Sequence, residues 1–162
     1  MDAELAALSD DVGSACRRHR LLLATAESCT GGWMAQVITH TAGSSGWFDR
    51  GFVTYANEAK VGMLGVRRET LDRYGAVSEE TAAEMACGAL ENSNALFSMS
   101  ITGVAGPTGG SPGKPVGTVC FAWCRVGMAA ETETCAFSGN REDIRRQAVV
   151  HSLRGMLRRL DT

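Results

Sequence analysis

Residues 21–25 make a short apolar run that meets Ala26-Glu27-Ser28-Cys29-Thr30-Gly31-Gly32 without a spacer, and Met34, Val37, Ile38 and Thr41 then recur at helical spacing. A strand that passes through two glycines straight into a helix favours folds in which helices cover a sheet. The remaining elements follow the same alternation. Leu5, Leu8, Val12 and Cys16 predict an amphipathic helix over 3–19. Phe52, Val53, Thr54 and Tyr55 mark a strand over 51–56, and Asn57 can cap the short helix that carries Lys60. A helix over 68–74 stops at Gly75, the expected left-handed cap.

Ser78 opens a longer helix that ends near Leu90, and residues 96–102 predict a third strand. The loop 103–115 holds all three prolines and five glycines. Residues 117–126 and 130–137 predict a hairpin turning near Gly127. Asn140 caps the last helix, with Asp143 in the capping-box position. Val149, Leu153, Met156, Leu157 and Leu160 form its apolar stripe; Arg145, Arg146, Arg154, Arg158 and Arg159 read as a solvated face. Alternation in the first part argues for parallel strands and the late hairpin for an antiparallel portion. The expected fold is α/β: a single-domain three-layer α/β/α sandwich with a mixed sheet, spanning residues 1–162.

The charges nearly balance, at a formal net of -2, which argues against a nucleic-acid surface. No apolar run reaches bilayer length, and the acidic first eleven residues do not read as a signal peptide, so no membrane partner is expected and the cytoplasm is the expected compartment. The six cysteines then read as free thiols. Cys120 and Cys124 lie in an apolar strand without a nearby histidine, so neither a metal nor another cofactor is expected. A homo-oligomer is expected, with Trp47 and Phe48 either at an interface or under a loop.

Ser28 has two readings: a helix N-cap, or a nucleophile displayed on a sharp turn. Thr30, Gly31 and Gly32 follow it with small side chains and backbone N–H groups that can hold a phosphate or an oxyanion. A serine needs a base. His19, His40 and His151 have no associated acidic motif, and only two lysines exist. Lys114 sits in the Gly/Pro loop. Lys60 sits in the first turn of a helix, where the dipole disfavours an ammonium; burial would lower its pKa further. Tyr55 either packs or bridges serine and lysine through its hydroxyl. Thr102, Gly103 and Gly106 follow the third strand, where α/β sheets collect ligands. Arg141 opens the last helix and is either exposed or an anion contact.

Several stretches resemble one family in order and spacing. They are Thr25-Ala26-Glu27-Ser28-Cys29-Thr30-Gly31-Gly32, Gly43-Ser44-Ser45, Gly51-Phe52-Val53-Thr54-Tyr55-Ala56-Asn57-Glu58-Ala59-Lys60 and Gly75-Ala76-Val77-Ser78. Further on come Ser100-Ile101-Thr102-Gly103-Val104-Ala105-Gly106-Pro107, Lys114-Pro115-Val116-Gly117-Thr118-Val119 and Phe137-Ser138-Gly139-Asn140-Arg141. The set resembles the CinA C-terminal-domain family, whose stand-alone members are nicotinamide-nucleotide amidases. The resemblance implies hydrolysis of nicotinamide mononucleotide to nicotinic acid mononucleotide and ammonia. It also implies a serine nucleophile, here Ser28, supported by Lys60 and Tyr55, with Arg141 in the site and no metal. Two rivals stay open: a Cys29-dependent amidase, and a non-catalytic nucleotide-binding or competence-associated interaction module.

Overall fold

A computed structural model describes residues 1–161. The elements are α1 (Ala3–His19), β1 (Leu23–Glu27), α2 (Trp33–Ile38), β2 (Phe48–Val53), α3 (Asn57–Leu64), α4 (Arg68–Tyr74), α5 (Glu79–Glu91), β3 (Phe97–Gly103), β4 (Thr118–Arg125), β5 (Glu131–Ala136) and α6 (Arg141–Leu160). The strands form one sheet in the order β2-β1-β3-β4-β5. β1 runs parallel to both β2 and β3, while β3–β4 and β4–β5 pair antiparallel. Helices α1, α2 and α6 cover one face and α3, α4 and α5 the other, which is the expected three-layer α/β sandwich with a mixed sheet.

The two faces differ in chemistry. Phe97, Met99 and Ile101 of β3 join Phe121 and Trp123 of β4 in the large core under α1 and α6. The opposite face carries Ala24, Ala26, Cys120, Ala122 and Cys124, small enough for α5 to lie close. There Ser98, Ser100 and Thr102 donate to the carbonyls of Ala86 (2.7 Å), Ala82 (2.6 Å) and Ala76 (2.8 Å). These bonds remove the cost of burying three hydroxyls, and the first two lock α5 in register on the sheet. Gly88 of α5 lies against the Leu64 carbonyl of α3, where an added Cβ would come within 2.0 Å of the oxygen. Close packing there fixes the helix that carries Lys60.

Several boundaries depart from expectation. β1 begins at Leu23, because Arg20 turns left-handed (φ 54°) and the Leu21 N–H returns to Cys16. β2 lies three residues earlier than expected, and Thr54 onward leaves the sheet to enter α3, whose N-cap is Ala56 and not Asn57. α2 closes at Ile38, where the Thr39 hydroxyl bonds back to the Ala35 carbonyl. Gly75 stops α4 with φ 81° but an extended ψ of 171°, so it is not the left-handed cap expected. The Ser78 cap and the Asn140–Asp143 capping box form as expected.

Trp47 is buried against Gly13, and Phe48 packs on the same core, so their apolar surface is spent inside the chain. The arginine face of α6 is less solvated than its sequence suggests. Arg146 pairs with Asp2 and Glu4, Arg154 with Glu4, and Arg159 with Glu133. Among the described residues, no helix is long and apolar enough to cross a membrane.

Candidate active site

β1 ends on Glu27, a carboxylate only 1% exposed at the tip of a wholly buried strand. Its Oε1 accepts the Thr30 hydroxyl (2.6 Å) and the Met34 N–H (2.9 Å); its Oε2 accepts the Ala35 N–H (3.0 Å). Glu27 therefore supplies from outside the helix what an N-cap side chain would supply, because the cap residue itself is Gly32. Gly31 (φ 60°) and Gly32 (φ 102°) take the positive angles that let the chain double back between strand and helix. Ser28 is thus relieved of capping. Its N–H bonds the Ile101 carbonyl of β3 (3.0 Å), and its hydroxyl is left to face the cleft at the carboxyl ends of β1 and β3.

Lys60 enters that cleft from the first turn of α3 and is 1% exposed. Its Nζ lies 3.0 Å from Ser28 Oγ and bonds the carbonyls of Thr54 (2.8 Å) and Tyr55 (3.2 Å). None of these partners carries charge. Burial holds the Lys60 amine below the usual lysine range. Two carbonyls can occupy the two hydrogens of a neutral amine, which leaves its lone pair for the serine proton. A hydroxyl within hydrogen-bond reach of such an amine is the geometry of a nucleophile and its base.

The cleft has a volume of about 270 Å³ and is lined by Thr102 and Gly103 at the end of β3 and by Gly106 after it. Arg141 closes one side: Nη1 donates to the Gly106 carbonyl (2.8 Å) and Nη2 to the Tyr55 hydroxyl (2.9 Å). The hydroxyl bridge expected from Tyr55 is absent. Lys60 reaches Ser28 directly, and Tyr55 gives it only a backbone carbonyl while the exposed phenol pairs with Arg141.

Thr30, Gly31 and Gly32 do not line this cleft. They border a separate depression with Trp33, Gln36 and Arg145, and the Gly31 N–H is engaged by the Ser28 carbonyl (3.1 Å). Their part is to shape the turn. Arg145, read from sequence as solvated, braces that turn from α6 by donating to the carbonyls of Cys29 (3.0 Å) and Thr30 (3.1 Å). Asn57 and Thr108 also line the cleft. Asn57 had the look of a cap and Thr108 of loop filler, so neither stood out; the acid of Glu27 ending an apolar strand was the signal available for the turn's anchor.

None of the three histidines lines the cleft. Cys29 does, but burial pushes its thiol up to about 11, with Arg145 acting in the opposite direction. Such a thiol is protonated and a poor nucleophile at neutral pH. Lys114 bonds the Tyr74 carbonyl in a roomier depression of about 470 Å³. Two of the hydroxyls there are engaged: Ser78 with Gly75 and Thr81, and Thr118 with Pro115.

The family model described as the CinA C-terminal domain matches residues 5–160. The chain is 55% identical over 152 residues to the nicotinamide-nucleotide amidohydrolase PncC of Escherichia coli K12, covering 94% of this chain and 92% of that protein. It is 47% identical over 150 residues to the enzyme of the same name from Pseudomonas putida, covering 93% of each. The crystal structure of the competence/damage inducible protein CihA from Agrobacterium tumefaciens superposes with a TM-score of 0.95 at 42% identity, covering 100% of this chain and 98% of that one.

Proposed function

The chain belongs to the CinA C-terminal domain family, and on that premise we propose that it is an amidase that hydrolyses the carboxamide of nicotinamide mononucleotide to nicotinic acid mononucleotide and ammonia, with Ser28 as nucleophile and Lys60 as base. One observation carries the assignment of roles: Lys60 Nζ, buried among uncharged partners, lies 3.0 Å from Ser28 Oγ. The substrate is taken from relatives named nicotinamide-nucleotide amidohydrolase, which this chain matches over nearly their full length.

The neutral Lys60 amine removes the Ser28 proton as Oγ attacks the carboxamide carbon. The tetrahedral oxyanion needs donors from the cleft wall, where the backbone of Cys29 and of Ala105 and Gly106 lies. The Lys60 ammonium then gives its proton to the departing nitrogen, which leaves as ammonia, and an ester remains on Ser28. Lys60, neutral again, takes a proton from water; the hydroxide attacks the ester, and the proton returns to Ser28 Oγ as the acid departs. Arg141 and the Tyr55 phenol hold the rim, where a guanidinium suits an anionic part of the substrate. The reaction belongs to pyridine nucleotide salvage and would run in the cytoplasm.

Ammonia release from nicotinamide mononucleotide by the purified protein tests the reading. Turnover in the wild type and none in Ser28→Ala supports it. Binding of the nucleotide without turnover in the wild type would favour a non-catalytic module.

A further inference from the structure

We propose that Glu133, Cys135 and His151 form a zinc site, separate from the Ser28 cleft, that ties the edge strand β5 to α6. Glu133 and Cys135 stand two apart on β5, and His151 reaches them from the middle of α6. His151 Nε2 lies 3.5 Å from Cys135 Sγ and 3.4 Å from Glu133 Oε1, and the three ligand atoms all fall within 4.8 Å of one another. The nitrogen–oxygen separation is longer than a good N–H···O hydrogen bond. Both separations match the edges of a metal tetrahedron: with bonds of about 2.0–2.1 Å to nitrogen and oxygen and about 2.3 Å to sulfur, ligands stand roughly 3.3–3.6 Å apart. The Cys135 thiol or the imidazole can share one proton between sulfur and nitrogen, whereas a cation between the three atoms engages all of them at once.

The ligands are already oriented. The imidazole is wedged among Phe121, Trp123 and Phe137, with ring centroids 4.6, 6.0 and 6.0 Å away. Arg159 donates to Glu133 Oε2 (2.9 Å), which leaves Oε1 turned toward the histidine. A nitrogen, sulfur and carboxylate set suits zinc and not magnesium or calcium. The Cys135 thiol gives its proton to solvent on binding, and thiolate plus carboxylate balance the dication. A zinc held by three protein ligands takes a water as its fourth, and His151 borders a depression of about 330 Å³. Arg154 and Arg158 border it too, so affinity is expected to fall below that of a closed four-cysteine site.

The test is a cobalt(II) chloride titration of the metal-stripped full chain. The expected result is one cobalt per chain with intense tetrahedral visible bands and a thiolate-to-cobalt charge-transfer band, all bleached by zinc chloride. Cys135→Ser should remove the charge-transfer band, His151→Gln should remove the tetrahedral spectrum, and Ser28→Ala should leave both intact. Should His151→Gln not fold, the conservative Cys135→Ser decides alone. A weak octahedral spectrum in the wild type, or a charge-transfer band that survives Cys135→Ser, overturns the site.

Discussion

Glu27 and Met34 meet across the turn that displays Ser28, the buried carboxylate accepting the Met34 N–H at 2.9 Å. The same carboxylate takes the Thr30 hydroxyl and the Ala35 N–H, so one side chain gathers three donors. Glu27→Gln places an amide NH2 among donors and leaves at least one of them unmet. Hydrogen bonds to charged groups contribute about 1.5–3 kcal/mol, and a destabilisation of that order is expected in urea unfolding. Turnover should fall with it, because the Ser28 turn loses its anchor. A variant that loses stability yet keeps full turnover when folded would restrict Glu27 to holding the helix.

Ser28→Ala should lower turnover by at least about a thousandfold while leaving the fold intact, as expected when a nucleophile is lost. Cys29→Ala should stay within about twofold of wild type, since its thiol is held protonated by burial. Substantial ammonia release by Ser28→Ala, or loss of it in Cys29→Ala, would transfer the nucleophile to the sulfur.

The fold was largely legible because its elements carry their own signals: the Ser78 cap, the Asn140–Asp143 box and the alternation of β3 are local properties of sequence. The alternation misleads on one point. Ser98 and Ser100 look like a solvent face, yet they are fully buried because α5 carbonyls accept their hydroxyl protons. Elimination of other bases made Lys60 a candidate, and the family resemblance paired it with Ser28. Their 3.0 Å contact depends on how α3 packs on α5 through Gly88, a tertiary relation no local pattern encodes. Arg145 was misread for the same reason: a helical arginine reads as solvated until the turn it braces is folded against it. Cys135 and His151 lie 16 residues apart on different elements, beyond the reach of a spacing motif.

Burial depresses the Lys60 pKa, which sets the sign of two pH effects. Activity should rise with pH as the amine deprotonates, with the inflection in kcat/KM below the ordinary lysine value of 10.5. Between the lowered folded value and 10.5 the unfolded chain binds more protons than the folded one, so this group's contribution to stability also rises with pH across that window. Below the window the folded state bears a buried charge; above it the two states are alike. Lys60→Arg should be inactive throughout, because a guanidinium stays protonated. A wild-type kcat/KM profile with no inflection anywhere below 10.5 would remove Lys60 from the role of base.

Tyr55 and Arg141 pose a question that a double-mutant cycle answers. The Tyr55 hydroxyl accepts Arg141 Nη2 at 2.9 Å, and Arg141 also holds the Gly106 carbonyl across the cleft. If the phenol serves to orient the guanidinium against an anionic substrate group, Tyr55→Phe raises KM more than it lowers kcat. Arg141→Lys does the same more strongly, because an ammonium lacks the guanidinium fork. The double variant should then be no worse than Arg141→Lys alone, and the non-additivity should correspond to about 0.5–3 kcal/mol of coupling. A phenol that shuttles protons to Lys60 behaves otherwise: Tyr55→Phe lowers kcat whatever stands at 141, and the two losses multiply. The direct contact between Lys60 and Ser28 favours the first outcome, since it leaves no gap for a relay. Multiplicative loss in kcat would return Tyr55 to the proton path.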